Sequence, residues 1–338
     1  MKKALILLFF TQIVCAQQNP RYLFDDLYFA DPSIHVFNNK IFIYPSHDID
    51  TEVKDPTNGG HYNMKDYHVL SMDNIQQEKA KDLGIVLKLE DIPWADKQLW
   101  APDIAEKNSK YFLYFPAKDK KGNFKIGVAT SNTPEGPFTA EKNPIKGSYS
   151  IDPTVLKDNN QYYIYFGGLK GGQLEKYRNN KLLSEAKEPN DQDNALSPKI
   201  ALLSKNILEF AEKPRDILIL DENGNPLKAG DHERRFFEGV WIHKYNNTYY
   251  LSYSTGDTHK LVYAIGNNPY GPFTFQGEIL SPVVGWTTHH SIVEIDKKWY
   301  LFYHDSKPSG GKNHLRSIKV RELQYDQQGH IKPMNGQD

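Results

Sequence analysis

The sequence predicts an all-β fold, a five-bladed β-propeller, on two observations. A hairpin pattern occurs five times, and a second turn signature occurs twice between the hairpins. The hairpins occupy residues 31–45, 101–116, 152–167, 238–254 and 290–304. Each joins a short apolar strand, a polar turn carrying Asn, Asp or Lys, and a second strand rich in Tyr, Phe and Ile, the pattern of a β-hairpin. Four share one spacing: Ile34 to Tyr44, Ile104 to Tyr114, Val155 to Tyr165 and Val293 to Tyr303. The hairpin at Glu238 departs by about one residue, a slip that a β-bulge absorbs. Hairpins repeated at intervals of 50 to 90 residues leave room for outer strands in each blade of a radial repeat.

Segments 67–71, 124–129, 200–203 and 260–264 supply those outer strands, and residues 132–138 and 267–273 carry the similar turns. Long helical periods are scarce; residues 205–212 predict one short helix. No Ser- or Pro-rich linker divides the chain, so one propeller domain over 17–338 is expected.

The first residues read differently. Met1-Lys2-Lys3 precedes an apolar run over 4–10 and a small-residue exit at Cys15-Ala16. That is the layout of a signal peptide over 1–16, too short for a membrane span, and it predicts a secreted or periplasmic protein. The one cysteine, Cys15, falls at the cleavage site; Val14 before it argues against lipid attachment, and disulfides are excluded from the mature chain. The formal net charge of −1 and the lack of a long basic run make nucleic acid and anionic membrane surfaces poor partners. The 21 Tyr, 17 Phe and 5 Trp mostly reflect strand propensity and core, with some left over as platforms for sugar rings.

In a propeller the inner strands start near the axis, so residues at one repeat position converge. At that position stand Asp31, Asp152 and Glu238. Asp31-Pro32 and Asp152-Pro153 taken singly are ordinary turn pairs. Three carboxylates brought to one funnel are costly unless they are paired or functional. Glycoside hydrolysis uses a protonated acid at the leaving oxygen and an ionised partner, and a further carboxylate keeps the acid protonated by like-charge repulsion. Histidines 47, 61 and 68 and Asp48 are scattered in sequence without a zinc spacing. There is no Gly-x-Ser-x-Gly, Walker or Rossmann pattern.

Ala30-Asp31-Pro32-Ser33, residues 100–103 (Trp-Ala-Pro-Asp), residues 150–153 (Ser-Ile-Asp-Pro), Phe237-Glu238-Gly239 and Thr288-His289-His290-Ser291 together resemble glycoside hydrolase family 43, over about residues 28–331. The resemblance implies an inverting glycosidase: Asp31 the general base, Glu238 the general acid, and Asp152 tuning the acid and orienting it by a hydrogen bond. It implies a pocket histidine, His289, holding calcium or a water cluster, with a core histidine as the plain alternative. No cofactor is otherwise required. Trp100, His290 and Arg316 are candidate substrate-binding residues. Trp100, like Trp94, either stacks on a sugar or plugs a blade. His290 takes the repeat position of Asp31. Arg316 points at the substrate or at a carboxylate, unless it is a surface residue. Phe37 and Trp241 read as core and Asp66 as a turn cap. Loops 50–61 and 170–195 are expected to shape the pocket.

The implied activity is release of xylose or arabinose from arabinoxylan, xylo-oligosaccharides or arabinan by a β-xylosidase or α-L-arabinofuranosidase. An endo-arabinanase or galactan-active hydrolase on the same fold, and a carbohydrate-binding propeller without activity, are the alternatives.

Overall fold

A computed structural model describes residues 20–51, 59–286 and 289–338; the proposed signal peptide lies outside them. Strands dominate, and among the described residues the helical pieces are four three-residue 3-10 turns. The strands form five blades in a propeller ring.

The local cause of each blade is its inner hairpin. All five hairpins turn through two residues with positive φ: Asn38-Asn39, Asn108-Ser109, Asn159-Asn160, Asn246-Asn247 and Asp296-Lys297. Two-residue turns of this hand match the twist of the flanking strands, and Asn and Asp tolerate the left-handed region best among residues with a Cβ. Outside each hairpin a third strand adds antiparallel: Asp66–Met72, Phe124–Ser131, Lys199–Leu202, Leu261–Gly266 and Ser317–Leu323. The ring closes non-covalently. Arg21–Tyr22 pairs with the last of these, Arg21 opposite Val320 and Tyr22 opposite Lys319, so the first described strand completes the final blade.

The expected slip at Glu238 is present. Glu238 faces Ser254 and Trp241 faces Ser252, with the register shifting between them. The first blade shifts similarly between Ala30 and Ser33. Two expectations fail. The equal spacing from Val293 to Tyr303 misaligns the last blade, for Val293 faces Tyr300 whereas Ile34 faces Ile43. Its turn therefore falls one residue earlier than the spacing implied. Residues 205–212 form a turn closed by a bridge from Leu203 to Phe210, not a helix. Asn206 accepts the Leu208 N–H, a local side-chain bond that competes with helix formation.

The core is distributed between blades, where Tyr and Phe interleave. Tyr44, Tyr114, Tyr165, Tyr253 and Tyr303 are all fully buried. Trp241 packs in the core as expected, and Phe37 packs against a core cluster. Trp94 stacks on Phe115 and fills its blade.

Candidate active site

The five inner strands deliver one residue each to a single cavity of about 280 Å³. Asp31, Ala101, Asp152 and His289 stand seven residues before the first turn residue of their hairpins, and Glu238 stands eight before its own. All five line the cavity. Asp31 and Asp152 both have left-handed backbones, φ 50° and 56°, and Gly239 follows Glu238 at φ 69°. Such conformations cost about 1–3 kcal/mol at a residue with a Cβ and cluster where geometry serves function.

Asp31 is buried and fully engaged. Its Oδ1 accepts from Arg316 Nη1 at 2.8 Å; its Oδ2 accepts from Arg316 Nη2 at 3.0 Å and Ser46 Oγ at 2.7 Å. Its backbone N–H donates to His304 Nδ1 at 3.0 Å. Burial alone would raise the carboxyl, but the Arg316 guanidinium overrides it and the pKa falls to about 2. Arg316 also donates from Nε and Nη2 to Asp48, each at 2.8 Å, and lies 4.9 Å over the Tyr62 ring. Of the roles expected for Arg316, the structure places it on the carboxylate. Ser46 and Asp48 share one face of the strand Lys40–Asp48, which is why both reach inward.

Glu238 has no side-chain hydrogen bond among the described residues. Gly168 packs beside it, where an added Cβ would stand 3.2 Å from the Glu238 Cβ. Burial and then the charge of Asp31 raise its pKa to about 7. Burial, Glu238 and Asp31 also raise Asp152 well above the usual carboxylate range. Asp152 Oδ2 accepts the Gly239 N–H at 2.8 Å, and His289 Nε2 lies 3.9 Å from its Oδ1. The expected side-chain bond between Asp152 and Glu238 is thus replaced by a backbone link through the neighbouring glycine. The two buried carboxyls titrate together as a pair. The Gly239 N–H favours the charged form of Asp152, against the larger push of burial, Glu238 and Asp31.

The other candidates divide. Trp100 lines the cavity, its Nε1 donating to Tyr62 O at 2.8 Å. His290 does not line it. The register of the last blade gives the repeat position to His289, and His290 is buried with Nε2 2.6 Å from Ser252 Oγ. Both His289 ring nitrogens lack hydrogen-bond partners among the described residues, which suits a water or an aquated cation at the cavity floor. Asp66 neither lines the cavity nor caps a turn; it begins a strand and meets His47. The expectation that the histidines are scattered is likewise overturned for His47 and His68, which converge on Asp66.

Of the two loops, Gly59 and His61 from one and Lys170 and Gly171 from the other line the cavity. Sequence reasoning missed Ser46, His304, Trp286 and Asn313, and gave Asp48 no role at Arg316. Only the same-face spacing of Tyr44, Ser46 and Asp48 along one strand signals any of them.

The sequence profile of the glycosyl hydrolases family 43 matches residues 30–331. The chain belongs to glycoside hydrolase family 43. Within the family it is 59% identical to a xylosidase/arabinosidase of Bacteroides ovatus, over 94% of this chain and 98% of that one. It is 54% identical to a β-xylosidase of Xylanibacter ruminicola, over 92% and 98%. It superposes with a TM-score of 0.92 on a family 43 β-xylosidase/α-arabinofuranosidase from a compost microbial metagenome, solved with xylotriose in a calcium-free form. That structure is 56% identical and covers 95% of this chain and 98% of its own. This family 43 hydrolase cleaves glycosidic bonds, and among its described residues no helix is long and apolar enough to cross a membrane.

Proposed function

We propose that this hydrolase releases xylose or arabinose from the ends of xylo-oligosaccharides, arabinoxylan or arabinan with inversion, outside the cytoplasm. One observation carries the chemistry: two carboxyls facing one cavity are pulled apart, Asp31 to about 2 and Glu238 to about 7. A pair divided in this way has one member ready to take a proton and one ready to give it. Asp31 takes a proton from the water that attacks the anomeric carbon. Glu238 gives its proton to the departing glycosidic oxygen, and that bond breaks as the new C–O bond forms. Asp152 holds the negative charge beside Glu238 and fixes its backbone through Gly239.

The substrate class rests on the relatives named for xylosidase and arabinosidase activity at 54–59% identity. A cavity of about 280 Å³, at the lower edge of the roughly 300–1,000 Å³ usual for ligand pockets, suits a terminal sugar. Trp286, 36% exposed and lining the cavity, supplies an aromatic face at its mouth. His289, whose ring nitrogens lack partners among the described residues, would hold calcium by way of water, since calcium prefers oxygen ligands, and the ion would supply positive charge in the cavity. The Lys-rich start and the apolar run after it support export.

The test is a screen of aryl β-D-xylopyranosides and aryl α-L-arabinofuranosides, with products followed on xylo-oligosaccharides. Monosaccharide from the first moment supports the reading. Longer first products would favour endo action, and binding without turnover would leave a carbohydrate-binding propeller.

A further inference from the structure

A second cluster of chemistry-bearing residues lies on the first blade, apart from the residues that line the cavity. His47, Asp66 and His68 each offer one ligand atom, and these atoms lie within 4.8 Å of one another. His47 stands on the strand Lys40–Asp48, and Asp66 and His68 on the neighbouring Asp66–Met72. Asp66 and His68 share a face because side chains alternate along a strand.

The protonation pattern points to a ligand. His68 Nδ1 lies 2.9 and 3.0 Å from the two oxygens of Asp82. In the neutral tautomer that donates from Nδ1 to this carboxylate, Nε2 carries a lone pair. That Nε2 is buried and has no hydrogen-bond partner among the described residues. It stands 3.7 Å from Asp66 Oδ1, too far for a hydrogen bond. An acceptor nitrogen oriented by an outer carboxylate and aimed at a second carboxylate is the arrangement of metal-binding histidines. On the other side His47 Nδ1 meets Asp66 Oδ1 at 2.6 Å. Tetrahedral zinc with bonds of about 2.0–2.1 Å sets its ligand atoms about 3.3 Å apart. The two distances to Asp66, 2.6 and 3.7 Å, bracket that value, and all three ligand atoms lie within 4.8 Å of one another. The Phe29 ring, 5.3 Å from both imidazoles, walls the cluster.

We propose that His47 Nδ1, Asp66 Oδ1 and His68 Nε2 bind a divalent transition metal of the zinc class, with Asp82 as the outer partner of His68. Two imidazoles and a carboxylate suit zinc better than calcium or magnesium, which prefer oxygen. The metal displaces the proton of the His47–Asp66 contact, which leaves to solvent. The site braces the strand whose other face carries Ser46 and Asp48, the partners of Asp31 and Arg316. Its effect is therefore stability of the first blade.

The experiment titrates zinc into metal-stripped full chain by calorimetry and thermal melting, comparing wild type with His289→Ala, His47→Gln, His68→Gln and Asp82→Asn. Wild type and His289→Ala should take up zinc equally, with a rise in melting temperature. Uptake at this site should weaken at least 100-fold in His47→Gln and His68→Gln, and about 10–100-fold in Asp82→Asn. Asp82→Asn retains both imidazoles and serves if the others fail to fold. Cobalt bound to wild type should give a visible absorption band that these variants lose. No saturable zinc uptake, uptake unchanged in all three blade variants, or uptake lost only in His289→Ala would each overturn the proposal. All readouts are of binding, so they stand apart from the glycosidase assignment.

Discussion

Arg316 holds both oxygens of Asp31, with Nη1 at 2.8 Å and Nη2 at 3.0 Å, while Nε and Nη2 also donate to Asp48. The carboxylate is thereby kept ionised and aimed. Arg316→Lys loses the bidentate geometry. It should lower kcat/KM and move the acidic limb of the rate profile upward into the measurable range, because the Asp31 pKa rises. An unmoved acidic limb with full activity would remove Arg316 from the support of Asp31.

The same contact links folding to pH. A carboxyl held at about 2, against about 3.9 when unfolded, contributes stability that is fully present above about pH 4. That stability is lost as the pH falls through about 2, and a depression of this size is worth about 2.6 kcal/mol. Denaturant unfolding at pH 4 and pH 2 should show this loss in wild type beyond that in Asp31→Asn. Parallel curves would contradict it.

Asp152→Asn keeps an acceptor for the Gly239 N–H but removes the charge beside Glu238. Glu238 should then lose its proton more readily. The alkaline limb of kcat/KM, set in wild type near the Glu238 value of about 7, should move to lower pH. Matched profiles on one unactivated xyloside decide this, and a limb that stays in place would reduce Asp152 to a structural residue.

The legible part of the site was the part written as a repeat. Asp31 and Asp152 stand seven residues, and Glu238 eight across its bulge, before turns whose Asn residues announce left-handed φ, so convergence followed from counting. The last blade shows the limit. Its turn is Asp296-Lys297 rather than Asn-Asn, and counting from strand aromatics put His290 where His289 belongs. Contacts between distant segments, such as Asp31 with His304 or Arg316 with Asp48, carry no local pattern, because ring closure creates them. The His47, Asp66 and His68 cluster was hidden for the same reason: strand pairing gathers residues that follow no metal motif.

Trp286 tests the mouth of the pocket. It contributes an exposed ring and no acid or base, so Trp286→Ala should raise KM roughly fivefold, the worth of about 1 kcal/mol of stacking, with kcat nearly unchanged. Steady-state kinetics on xylobiose measure both. A large fall in kcat alone would show that the ring serves the reacting centre instead.

Stereochemistry separates the two ways of using a carboxylate pair. If Asp31 activates water, the first product of a β-xyloside is α-xylose, observed by proton NMR before mutarotation. β-Xylose as the first product would make a carboxylate the nucleophile.

The most direct measurement is the activity of Glu238→Ala on two substrates that differ only in leaving group. An alkyl or sugar leaving group needs its proton, and general acid catalysis is worth about 10²–10⁴-fold. The account predicts a loss of that size on xylobiose, with little loss on an aryl xyloside whose phenol is strongly acidic. Equal losses on both substrates, or full activity on xylobiose, would contradict Glu238 as the acid.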